Sequence, residues 1–213
     1  MFQFNPAFKS QNSGFEQDTM PEYIKTLLND VKNTTGYHKF FVTIDECCEK
    51  NPQFKELEHN LYKTGEYFIR TGTVEDADYL RQLLTILKKN NVGIVPEFIA
   101  SETNDDGFSV IVLKIPGTKT GDLIEYDKGY NLLESNAKKA AYKDFQTLTK
   151  LGVVNLDVLD YDCLQITPDK PNKIVTKSWS NLCTLDDYAK RENTETPGIE
   201  IVRKIYKMMF KTN

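Results

Sequence analysis

Apolar residues recur at helical spacing after Pro21, where Tyr23, Ile24, Leu27, Leu28 and Val31 share one face and Gly36 lies beyond the end. A proline in the first turn gives up an N–H that the helix could not have used, so this segment predicts an amphipathic helix. The run HKFFVTID at 38–45 is dense in aromatic and β-branched side chains and predicts a strand. Asn51 and Pro52 then resemble a cap and first turn ahead of Phe54, Leu57 and Leu61, which predicts a second helix ended by Gly65.

From residue 66 the punctuation is clearer. EYFIRTGT reads as a strand, and Thr73 with Asp76 forms a start signal for a helix through Lys89, with Leu80, Leu83, Leu84 and Leu87 on its apolar face. Asn90, Asn91 and Gly93 end it. VPEFIAS and FSVIVLKIPG flank Asn104-Asp105-Asp106-Gly107, the polar, glycine-ended cluster that a hairpin turn requires. After a less regular stretch containing Gly117, Gly121 and Gly129, a helix is predicted over 135–151 with Ala141, Phe145 and Leu148 inward and Gly152 just past its end. CLQIT and KIVTKSW predict a short hairpin around residues 168–172. A last amphipathic helix is predicted over 198–211, while residues 1–18, without a clear period, read as a flexible arm.

This mixture of hairpins and helices predicts an α+β fold. At 213 residues the chain can bury a substantial core without staples, and one domain is expected. The net charge of −4 and pI near 5.4 argue against a nucleic-acid partner held by bulk electrostatics. The lysine pairs Lys88-Lys89 and Lys138-Lys139 read as solvated helix faces. No stretch has the 18 or more apolar residues of a membrane span, and the first residues lack the basic and apolar regions of a signal peptide. The expected setting is therefore cytoplasmic, or a host cytosol reached by a route without a classical signal peptide. Cys47, Cys48, Cys163 and Cys183 match neither a zinc pattern nor a disulfide framework and are expected to be reduced thiols. His38 and His59 lack the carboxylate or cysteine spacing of a metal site.

Three segments carry a resemblance: VPEFIAS with FSVIVLKIPGTKTGDL at 95–123, FQTLTKLGVVNLDVLDYDCLQI at 145–166, and KIVTKSWSNL at 173–182. Together with the predicted order of strand, helix, hairpin, helix, loop and short hairpin, they resemble protein kinases from the third strand to the metal-binding loop. The likeness is to minimal bacterial effector kinases of the OspG and NleH type, and more distantly to aminoglycoside phosphotransferases. It covers about residues 66–182. It implies a kinase-like fold with a small antiparallel-sheet lobe at 19–123 and a reduced helical lobe at 124–213. Ile115-Pro116-Gly117-Thr118 resembles the run after the fifth strand of that family. Asn155, Leu156, Asp157, Val158 and Asp162 align with the catalytic loop H-x-D-L-x-x-x-N, and Ser178, Trp179 and Ser180 with D-F-G.

The resemblance implies Asp157 as the group that accepts the substrate hydroxyl proton and Asp162 as a metal or cofactor ligand. It puts Arg70 where the phosphate-pairing lysine is expected, with Glu75, Asp76 and Asp78 as competing helix partners. The departures are as informative. Ser178 replaces the carboxylate that holds Mg²⁺, the planar fork of Arg70 is no substitute for a compact ammonium, and there is no G-x-G phosphate loop. Read without the alignment, Asp157, Asp160 and Asp162 are loop carboxylates facing water, Arg70 is a structural ion-pair partner, and Trp179 is a core or interface residue. Ser178 and Ser180 lack the G-x-S-x-G of a nucleophile elbow. The expectation is a degenerate kinase, at most a weak binder of ATP and Mg²⁺, that regulates a protein partner. Family resemblance alone suggests the ubiquitin-conjugation machinery and a bacterial effector. The alternatives are an active atypical kinase using Asp157, with Asp160 or Asp162 holding metal, and a non-kinase α+β binding or immunity-type protein.

Overall fold

The computed structural model describes residues 20–115, 123–155, 164–176 and 182–192. It divides into two compact units, 1–85 with 97–114 and 86–96 with 115–213. The expected arm at 1–18, the 116–118 run and the helix at 198–211 lie outside the described residues.

The first unit is a five-stranded antiparallel sheet with helices. α1 (Glu22–Lys32) and α2 (Tyr37–Lys50) precede β1 (Lys55–Glu58), β2 (Leu61–Thr64) and β3 (Tyr67–Thr73). α3 (Val74–Lys89) then leads to the hairpin of β4 (Glu97–Thr103) and β5 (Phe108–Lys114). The strand order is β1-β2-β3-β5-β4.

Two sequence expectations are corrected here. The segment at 38–45 is helix, because its apolar stripe runs on past the strand-like window. Phe40 and Ile44 are buried, with Phe41, Cys47 and Cys48 packed beside them, a 3.6-residue period over fourteen residues. The segment after Asn51-Pro52 is not helix but the β1–β2 hairpin, turning at Asn60 with φ +66°. β2 pairs with β3 in the register Leu61↔Arg70, Tyr62↔Ile69 and Thr64↔Tyr67, so alternation across the sheet outweighs the i, i+3, i+7 spacing of Phe54, Leu57 and Leu61.

One sheet face presents Tyr67, Ile69, Val110 and Val112, joined by Ile99 and Ala100. Ile24, Leu27 and Val31 of α1 and Phe40 and Ile44 of α2 complete this core. Each such side chain contributes about 1.5–3 kcal/mol relative to exposure. The Tyr23 hydroxyl bonds Thr64 at 2.9 Å, and its ring meets Phe54 edge-on at 5.6 Å. The opposite face, set by the same pleat, carries Phe68, Ile111 and Leu113, all fully buried, and Arg70.

The expected 104–107 turn is present. Asn104 Oδ1 accepts from the N–H groups of Asp106 at 3.1 Å and Phe108 at 2.9 Å, and Gly107 takes φ +84°, a conformation that costs a residue with a Cβ. Asp106 also accepts the Gly36 N–H, fastening the α1–α2 turn to the β4–β5 turn. α3 starts as expected, with a reciprocal box in which Thr73 N–H donates to Asp76 at 3.0 Å and Asp76 N–H donates to Thr73 Oγ1 at 3.2 Å.

In the second unit, β6 (Ile124–Glu125) and the short α4 (Tyr126–Gly129) precede α5 (Ser135–Lys150). Ala141, Phe145 and Leu148 of α5 are buried, as expected. β7 (Val153–Asn155), β8 (Leu164–Ile166), β9 (Ile174–Thr176) and β10 (Leu182–Thr184) follow, then α6 (Leu185–Glu192). Two sheets result, β6-β8-β9 and β7-β10. The expected β8–β9 hairpin is closed by Lys173 N–H to Thr167 Oγ1 and Asn172 Nδ2 to the Thr167 carbonyl, both at 2.9 Å.

Candidate functional site

Arg70 lies at the middle of β3, between Leu61 of β2 and Ile111 of β5, and is half-buried. Of its three proposed helix partners, Asp76 is engaged in the cap of α3 and Asp78 in an ion pair with Arg81. Beyond Asp78 the helix, through Lys89, has no carboxylate. The hairpin ahead of β3 turns through His59 and Asn60, and no glycine occurs between residues 37 and 64. Closely spaced glycines let backbone N–H groups approach phosphate, and this hairpin lacks them.

Asp157, Asp162, Ser178 and Asp160 lie outside the described residues. The strands flanking them are described. Asn155, the last residue of β7, pairs with Leu182, the first of β10. Leu164, the first residue of β8, pairs with Thr176, the last of β9. Segments 156–163 and 177–181 therefore each begin and end at the same two register pairs. Asp157 is two residues from Asn155, and Ser178 two residues from Thr176.

A second cluster in this unit escaped the sequence reading. Asp144 of α5 accepts the Gly93 N–H at 2.8 Å and also the Ile94 N–H. Burial raises its carboxyl above the ordinary value, while these two donors and the positive charges of Lys143 and Lys173 work against that rise. The Ile94 carbonyl in turn accepts from Thr176 twice, from N–H at 2.9 Å and from Oγ1 at 3.2 Å. The available signal was helical phase: Asp144 is three residues from Ala141 and four from Leu148, on the inward side of a lysine-rich helix.

Among the described residues no cluster of three or more His, Cys, Asp or Glu is placed to hold a metal ion. No described helix is long and apolar enough to cross a membrane.

No protein-family model matches the chain, and neither does any curated protein. Among solved structures the chain is similar to the Cydia pomonella granulovirus kinase PK-1, with 16% identity and a TM-score of 0.43. The match covers 68% of this chain and 57% of that one. A likeness of this size transfers no function, and the described residues are those of an α+β protein with antiparallel sheets in each of its two units.

Proposed function

We propose that this protein is a kinase-like binding and regulatory module that has lost efficient phosphoryl transfer. The observation that carries this reading is the pair of ladders closing segments 156–163 and 177–181, with Ser178 in the second. The run from β3 through α3, the β4–β5 hairpin, α5 and the β8–β9 hairpin follows the order expected of a kinase from its third strand onward. Shared architecture alone does not assign chemistry, so function must come from the residues.

Those residues do not fit Mg²⁺ and ATP. Phosphoryl transfer depends on positioning and charge neutralisation, supplied by a carboxylate on the metal, an amide ligand, a lysine on the third strand and a glycine-rich cover. In their places stand Ser178, Asp162, Arg70 and a hairpin turning at His59-Asn60. A hydroxyl gives little compensation for the ion's charge, and Asp157 cannot replace four lost parts.

The ligand of this module is then a protein. Ubiquitin-charged conjugating enzymes are the first partner to try, on family resemblance to effector kinases that act in a host cytosol. The decisive assay is radiolabel transfer from ATP with and without Mg²⁺, beside Asp157→Ala. Labelling at background in both proteins is the expected result. Metal-dependent labelling that vanishes in the variant would overturn the reading in favour of an atypical kinase.

A further inference from the structure

The hydrogen bonds around Ile94 form a relay with two ends. At one end, the Asp144 carboxylate of α5 holds the consecutive N–H groups of Gly93 and Ile94. At the other, the Ile94 carbonyl holds both the N–H and the hydroxyl of Thr176, which is 1% exposed. Val92, Ile94 and Val95 along this link are buried, while Gly93 itself is exposed. Upstream, the last turn of α3 closes through Val92 N–H to the Leu87 carbonyl at 3.1 Å, with Asn91 at φ +57°. The connection after α3 therefore has little freedom to move apart from α5 and β9.

We infer that Asp144 is a positioning residue for the end of β9, acting on Thr176 through the 93–94 backbone although it does not touch Thr176. The consequence is directional. Thr176 is the last residue before segment 177–181, so whatever shifts the end of α3 also shifts the root of the segment bearing Ser178. A carboxylate is suited to the task because its two oxygens accept two adjacent N–H groups with charge assistance. This coupling stands on contacts within one unit and does not depend on whether the protein binds nucleotide.

The test is residue-resolved amide hydrogen exchange on the full chain, comparing the parent with Asp144→Ala, Asp144→Asn and Thr176→Val. In Asp144→Ala, exchange should quicken about tenfold at Gly93 and Ile94 and also at Thr176, while the β7–β10 ladder stays as protected as before. Asp144→Asn keeps an acceptor oxygen and should restore protection at Thr176. Thr176→Val, which removes only the hydroxyl arm, should quicken exchange at Gly93 and Ile94. A rise confined to residues 93 and 94 in Asp144→Ala, no rise at all, or an equal rise in the β7–β10 ladder would each overturn the inference.

Discussion

Asn155 and Leu182 face each other at the end of the β7–β10 ladder, although they lie 27 positions apart in the chain with the β8–β9 hairpin between them. This pairing ties the start of the Asp157 segment to the end of the Ser178 segment. If Ser178 marks a lost metal ligand, returning the carboxylate should return metal dependence. Ser178→Asp is expected to tighten Mg²⁺-dependent ATP binding by about tenfold, or roughly 1.4 kcal/mol. Thermal shift with ATP, with and without Mg²⁺, measures this. An identical Mg²⁺ response in variant and parent would remove Ser178 from the argument.

Burial raises the Asp144 carboxyl, and this fixes the sign of its pH dependence. The folded state holds this proton more tightly than the unfolded state does. Ionisation therefore costs folded stability; the cost sets in as pH rises past the ordinary aspartate range and is complete above the raised value. Asp144→Asn removes that cost while keeping an acceptor. The stability of the parent relative to this variant should improve as pH is lowered from 7 toward 4, measured by urea unfolding. Asp144→Ala removes the acceptor of both N–H groups; the exposed Gly93 N–H turns to water, so the expected cost of about 1–3 kcal/mol rests on Ile94.

The cap of α3 is a single reciprocal device, so its two halves should not add. Thr73→Ala and Asp76→Ala are each expected to lose about 1 kcal/mol. The double variant should lose distinctly less than the sum, because the bond from Thr73 Oγ1 to Asp76 Oδ2 at 3.3 Å is lost to either change alone. Gly72→Ala should act on the same device, since its new Cβ would meet Asp76 Cβ at 3.2 Å and Oδ2 at 3.0 Å. Full additivity in urea melts would mean that the two residues act separately.

Phe40 is fully buried where α2 lies against the sheet core. Phe40→Ala should cost about 3–5 kcal/mol, whereas Ile44→Val on the same stripe should cost about 0.5–1.5 kcal/mol. Denaturant unfolding separates the two. A loss below about 1 kcal/mol for Phe40→Ala would contradict the burial of this helix.

Cys47, Cys48 and Cys183 are unbridged. Desolvation, with the neighbouring Cys47 next in importance, pushes the Cys48 thiol up to about 11, and burial also raises Cys47. Both should react slowly in the native protein at pH 8, because the thiolate is the reactive form. Unfolding without reductant should release four titratable thiols, and a count of two or fewer would establish a disulfide.

Local chemistry determined much of this protein. The Thr73–Asp76 box, the Asn104–Gly107 turn and the apolar stripes of α1 and α5 are each settled by residues within a few positions of one another, and each is where the sequence placed it. The strand bearing Arg70 was equally legible, as was the order of elements after it. Residues 37–64 were not. Aromatic and β-branched density at 38–45 favoured a strand, and Asn51-Pro52 favoured a helix start, yet both preferences were overruled. β2 gains a ladder with β3, and Phe40 and Ile44 gain a place against the sheet, from partners that no local window contains. The relay through Asp144 was hidden for the same reason. Its partners Gly93 and Thr176 are 51 and 32 positions away, and a carboxylate on a lysine-rich helix reads as solvated until packing turns it inward. Backbone propensities differ by about 1 kcal/mol or less per residue, so burial and long-range pairing decide wherever the two disagree.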